Sequence, residues 1–249
     1  TLGIDTMTKH FIEYLLTAAL AVMTAQSCVS KIDPIFDESS ANRVEALAER
    51  LNETLTGAPN GWLLEYYPSS GQYYGGFNVF LSFSEGNKVK VGSEVAGKGK
   101  TATSTYSIYQ SAGCVLTLDT YNEVMHYFAD PETTGGQGAG FGFEGDFEFN
   151  VLDLQDEKIT LKGRKTGSTM TMTPMPVSMS WDDYIVALKE EESAISKHTR
   201  IRYQTADNKY DGRINGRTLE IFSEVDGEQV TTSYPFIFNL MGVTFYPPL

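Results

Sequence analysis

From Asn60 to Pro174 the apolar residues recur at every second position in short runs divided by turn residues, which restricts the fold more than anything else in the chain. Phe77, Val79, Leu81 and Phe83 alternate with Asn78, Ser82 and Ser84, the turn Glu85-Gly86-Asn87 follows, and Lys88-Val89-Lys90-Val91 alternates lysine with valine. Successive side chains of a strand point to opposite faces, so each run has one buried and one wetted face, and two runs joined by a tight glycine turn form a hairpin. Trp62 to Tyr67, Thr103 to Tyr109 and Cys114 to Leu118 read as further strands, followed by runs carrying Phe147, Phe149 and Val151, then Ile159 and Leu161, then Met170 and Met172. Short strands at close, regular spacing predict an antiparallel meander that closes as a barrel or packs as a sandwich.

Two segments carry the helical period instead. Val44, Leu47, Leu51 and Leu55 fall on one helix face behind a cap at Ser39 or Ser40, and Gly57 with Pro59 ends that helix. Pro174 and Pro176 break the strand series. A second helix then starts at Ser180, with Asp182 and Asp183 in its first turn and Trp181, Tyr184, Ile185 and Leu188 as its apolar face. Strands resume at Arg200 to Tyr203, Arg217 to Phe222, Gln229 to Tyr234, Phe236 to Phe238 and Val243 to Tyr246. The predicted class is mainly β within α+β: helix then meander, twice. The divisions are a signal segment over 1–27, a tether over 28–40, a first module over 41–176 and a second over 177–249. With fewer strands, the second module is expected to be incomplete and to leave an unpaired edge near Leu249.

The N-terminal segment predicts an address. Lys9 and His10 precede the apolar run Tyr14 to Met23, and the small residues Ala25 and Ser27 lead to Cys28. That run is too short to span a bilayer, which takes ~20 apolar residues. A bacterial lipoprotein signal segment is similar, ending in a cysteine that takes lipid. Cys28 is therefore the expected lipidation site, and several acyl chains on one cysteine hold a protein firmly. Val29 follows, with no aspartate to resemble an inner-membrane retention signal, so the outer membrane is the expected location, on its periplasmic or cell-surface face. Spending Cys28 on lipid leaves Cys114 as the remaining thiol, so stability must come from core packing.

The formal charge is -13, and it becomes -12 after residue 27, because Lys9 there stands against Asp5 and Glu13. An acidic surface argues against nucleic acid or anionic lipid as partner. Catalytic and metal-ligating patterns are sparse. His126 and His198 lie in no His-Glu-x-x-His motif, and His126, within Met125-His126-Tyr127-Phe128, reads as a structural histidine. Asp207, Asp211 and Gly212 faintly echo a calcium loop, but Lys209 and Thr218 occupy ligand positions, so this reads as a polar turn. Gly135 to Gly140 lacks the strand before and helix after that a phosphate cradle needs, and reads as a loop. Cys114, in an apolar strand, is expected to be buried and inert. No catalytic residue, metal site or cofactor is assigned. The remaining candidates are Tyr66, Tyr67, Tyr73 and Tyr74 with Trp62 nearby: exposed tyrosines stack on sugars or anchor partners, and buried ones are core.

Several phrases together resemble a family of lipoproteins from gut-type Bacteroidota known as a domain of unknown function (number 4302). They are Ile35-Phe36-Asp37-Glu38-Ser39, Ala58-Pro59-Asn60-Gly61-Trp62, Glu65-Tyr66-Tyr67-Pro68, Thr120-Tyr121-Asn122, His126-Tyr127-Phe128-Ala129-Asp130-Pro131, Gly145-Asp146-Phe147-Glu148-Phe149 and Leu161-Lys162-Gly163-Arg164-Lys165-Thr166-Gly167. The resemblance runs from Cys28 to the last residue. It implies a cell-envelope lipoprotein, typically longer than this chain, and brings no catalytic residues. The leading expectation is a non-enzymatic lipoprotein that binds a ligand or an envelope protein, peptide or glycan, with nutrient capture as a setting. A lipocalin-like carrier of a small apolar ligand and a hydrolase with an unrecognised carboxylate site are the alternatives.

Overall fold

A computed structural model describes residues 40–132, 140–204, 209–225 and 227–246. Cys28, the expected signal segment and the tether up to residue 39 lie outside the described residues.

Strands β1 (Trp62–Tyr66), β2 (Phe77–Ser84), β3 (Lys88–Ser93), β4 (Thr101–Gln110) and β5 (Cys114–Leu118) form a meander, continued by β6 (Glu148–Gln155), β7 (Lys158–Gly163) and β8 (Thr169–Pro174). Each pairs with the next, and β8 returns to β1 with Met172 opposite Leu64, which closes an eight-stranded antiparallel barrel. Of the two arrangements open to the alternation, the barrel holds. Its inward stripe includes Leu64, Val79, Val89, Val91, Leu116, Ile159, Leu161 and Met172, all 0% exposed. A side chain with no accessible surface borders no void large enough for water, so this interior is filled side chain to side chain.

Helix α1 (Ser40–Gly57) lies across the barrel end that carries the β2–β3 and β6–β7 turns. Its wholly buried Leu51 and Leu55 join the barrel core, each worth ~1.5–3 kcal/mol of burial. The Trp62 indole donates to the Leu55 carbonyl at 3.0 Å, and the Tyr106 hydroxyl donates to Asn52 Oδ1 at 2.7 Å. The exposed Arg50–Asp156 pair at 3.5 Å adds little.

The opposite end is closed by the β5–β6 segment, including the short helix α2 (Glu123–His126), which the alternation gave no sign of. Asn122 caps α2 through its side-chain oxygen, which accepts from Val124 N and Met125 N. Phe128 packs at a tilt against Tyr66 (4.9 Å) and Phe77 (5.1 Å) inside. The Tyr66 hydroxyl donates to the Asp146 carbonyl and accepts from the Asp146 N–H, while the Asp146 carboxylate accepts from the N–H groups of Lys165 and Thr166. Four of the phrases that carried the family resemblance meet here, at Tyr66, Phe128, Asp146 and the turn after Gly163. A Cβ on Gly163 would stand 2.1 Å from the Asp146 carboxylate, so only glycine fits.

After the barrel, Ser180 caps helix α3 (Trp181–Ser196), its Oγ accepting from Asp183 N at 3.1 Å. A five-stranded sheet follows in the order β13-β12-β11-β10-β9: β9 (Arg200–Gln204), β10 (Lys209–Asn215), β11 (Thr218–Val225), β12 (Glu228–Asn239) and β13 (Gly242–Phe245). The outward Phe80 of β2 stacks on Trp181 at 5.5 Å and meets Tyr184 edge-on, and Ile185, Leu188, Phe236 and Phe238 complete a second core that joins α3 and β12 to the barrel wall.

Two readings change in this half. Asp211 and Gly212, read as a polar turn, lie inside β10. Gly212 is there because a Cβ would come 2.6 Å from the Glu220 carbonyl of the neighbouring strand. The two runs divided at Pro235 form the single strand β12, in which Pro235 stands opposite Thr218 at the end of the β11 pairing.

Candidate functional site

A cleft of about 790 Å³ opens where the loop between β1 and β2 faces the turn between β10 and β11. The loop is unusual from its backbone upward. Ser69 (φ 62°) and Gln72 (φ 50°) are left-handed without being glycine, a state that costs of order 1–3 kcal/mol each and needs surrounding contacts to persist. Those contacts are present. The Ser168 hydroxyl donates to the Ser69 carbonyl at 2.7 Å, the Gln72 amide donates to Ser168 Oγ at 2.9 Å and to the Ser70 carbonyl, and Gly75 N donates to the Gln72 carbonyl. Glu144 (φ 56°), next to the lining residue Phe143, is also left-handed. Among the described residues that leaves only Asn87, in a hairpin turn, as a strained non-glycine away from the cleft.

The loop presents aromatics. Tyr73 is 69% exposed, with its ring laid on the Gly71 backbone. Tyr74 packs edge-on to Phe143 (5.2 Å), and Phe143 packs edge-on to Phe77 (5.4 Å), which makes an aromatic wall. Asn215, Thr218, Glu220 and Ser233 line the cleft from the second sheet. Gly76 N donates to the Phe236 carbonyl at 3.0 Å, tying loop and sheet together at the base.

The two charged side chains that line the cleft, Glu220 and Arg217, are both paired. Glu220 accepts from Asn215 Nδ2 (2.9 Å) and Arg213 Nε (2.5 Å), and these bonds hold its carboxyl below the usual range. Arg217 donates to both oxygens of the buried Glu94 (3.0 and 3.1 Å), to Glu192 (3.2 Å) and to the Gly76 carbonyl. Its guanidinium stands over the Phe77 and Phe238 rings at 4.4 and 5.1 Å. Glu94 also accepts from Asn78 N at 2.6 Å, and the Tyr184 hydroxyl reaches Asn78, so one polar network links barrel, helix and second sheet.

The tyrosine cluster therefore divides. Tyr66 and Tyr67 are core, and burial pushes both phenols well above their ordinary pKa; Tyr73 and Tyr74 line the cleft. Trp62 is buried. His126 stacks on Phe147 at 4.6 Å with Nδ1 beside Asn122 N, and burial lowers its pKa. Cys114 is buried with a thiol pKa raised by burial. Asp211 pairs with Arg202 on the exposed face of β10. Asp207 and residues 135–139 of the glycine run lie outside the described residues. Among the described residues no three His, Cys, Asp or Glu side chains converge as metal ligands, and no helix is long and apolar enough to cross a membrane. The polar half of the cleft, Asn215 to Glu220 and Ser233, carried no signal in the sequence.

Fold and site together define a class: a helix-plugged, filled antiparallel β-barrel bearing a cleft between its rim and a second β-sheet. The chain belongs to the family described as Domain of unknown function (DUF4302), whose model matches residues 32–249. No curated protein and no solved structure matches the chain.

Proposed function

We propose that this chain is a non-enzymatic binding protein of the bacterial cell envelope, held in the outer membrane by lipid on Cys28, which takes a ligand or partner for nutrient capture in the cleft beside Tyr73. The observation that carries this reading is the concentration of backbone strain around that cleft. Gln72 lines the cleft, Ser69 lies buried in the same loop and Glu144 follows the lining residue Phe143, and stored strain of that kind clusters at binding sites. The cleft also has the size of a small-molecule site, ~300–1,000 Å³. The filled barrel directs attention to its rim, and the sequence before Cys28 supports the anchor.

Thermal-shift measurement over peptide, glycan and haem panels tests the binding. A ligand at a hundred times its Kd adds ~2.7 kcal/mol, which is ~5–11 °C for a domain of this size, and Tyr73→Ala should abolish the shift. If no compound shifts the wild-type protein and a photo-crosslinker at position 73 captures no envelope component, the binding reading fails. Palmitate labelling that survives Cys28→Ala would remove the anchor.

A further inference from the structure

We infer that the cleft takes a neutral oligosaccharide, with the open face of Tyr73 as the platform for one sugar ring. This rests on the cleft being the binding site and adds the chemical class of its ligand.

The platform is set in place before any ligand arrives. A Cβ on Gly71 would stand 2.2 Å from the Tyr73 ring, so the ring lies directly on the glycine backbone, and a larger residue at position 71 would lift it. One face of the ring is thus covered by the chain while the residue as a whole stays 69% exposed. A flat aromatic held this way loses little rotamer freedom on binding, and it matches the flat C–H face of a pyranose.

The remaining surroundings select against other ligands. Glu220 is answered by Arg213 and Asn215, and Arg217 by Glu94 and Glu192, so an anionic ligand meets no free cation there. The acidic chain as a whole repels anions further. An apolar ligand would desolvate the hydroxyls of Thr218 and Ser233 at the cleft without offering them a partner. A polyol offers donors and acceptors in the mixture that these hydroxyl and amide groups present. An extended peptide would use a free strand edge, whereas this cleft is walled by a loop, a hairpin turn and strand side chains.

The test is isothermal titration calorimetry of the full chain against maltotriose, cellotriose, xylotriose, mannotriose and triacetylchitotriose. Trigalacturonate, a proline-rich peptide and retinol serve as the anionic, peptide and apolar probes. The expected result is that at least one neutral trisaccharide binds and that Tyr73→Ala weakens it by about tenfold or more. Tyr73→Phe should retain binding, Tyr121→Ala (an equally exposed tyrosine elsewhere) should change nothing, and the thermal midpoint of Tyr73→Ala should match wild type. Neutral binding that survives Tyr73→Ala overturns the inference. So does a panel in which only the anionic, peptide or apolar probe binds and is lost with Tyr73→Ala, although that result leaves the cleft as the binding site. Silence across every probe overturns both.

Discussion

Arg217→Met isolates the polar network that joins barrel, helix α3 and second sheet. Methionine keeps the unbranched chain against Phe77 and Phe238 but removes both guanidinium donors to Glu94, whose side chain is 3% exposed. Glu94 then retains only the Asn78 backbone and amide donors. Removing one partner of a buried ion pair costs ~3–5 kcal/mol, because the other charge stays desolvated and unpaired. At ~2–4 °C per kcal/mol for a domain of this size, the midpoint should fall by ~6–20 °C. The carboxylate causes the damage, so adding Glu94→Gln should recover a large part of it. Urea unfolding by circular dichroism, with calorimetry on both variants and the double variant, measures this directly. A single variant within ~1 kcal/mol of wild type, or a double variant no more stable than Arg217→Met, would refute the view that Glu94 depends on Arg217.

Three further outcomes follow from the packing. Leu55→Ala should lose ~2–5 kcal/mol by urea unfolding, because the side chain fills the plugged barrel end and the barrel cannot collapse onto the void. Burial raises the Glu65 pKa, with Lys158 partly opposing, so its ionised form costs stability that is absent below the ordinary carboxylate range and appears as pH rises through the raised value. Glu65→Gln should therefore raise the midpoint at neutral pH and leave it unchanged in acid. In a Cys28→Ala chain, the thiol of Cys114, at 1% exposure, should resist thiol reagents until the protein unfolds in denaturant.

The barrel strands were legible because each carries its own record of burial: Val89 and Val91 face inward between Lys88 and Lys90, as the alternation requires. The helices were legible for the same reason, with Leu51 and Leu55 on one face and Ser180 at a cap. Closure was not, because Trp62 and Leu64 meet Pro174 and Met172 across the whole module and no local period encodes a partner. Strand β10 escaped because its buried position is Gly212, which carries no hydrophobic signal and is explained only by the closeness of Glu220. The cleft was half legible. Tyr73 and Tyr74 stood out as aromatics, but their division from Tyr66 and Tyr67 depends on the left-handed turns at Ser69 and Gln72, and Arg217 reads in sequence as an ordinary strand residue.

A crystal structure of the chain grown with the best-binding neutral trisaccharide tests the central claim most directly. The expected result is a sugar ring against the open face of Tyr73, hydrogen-bonded toward Thr218 and Ser233, with the barrel interior unchanged. Ligand density inside the barrel, or on a surface away from the β1–β2 loop, would contradict it.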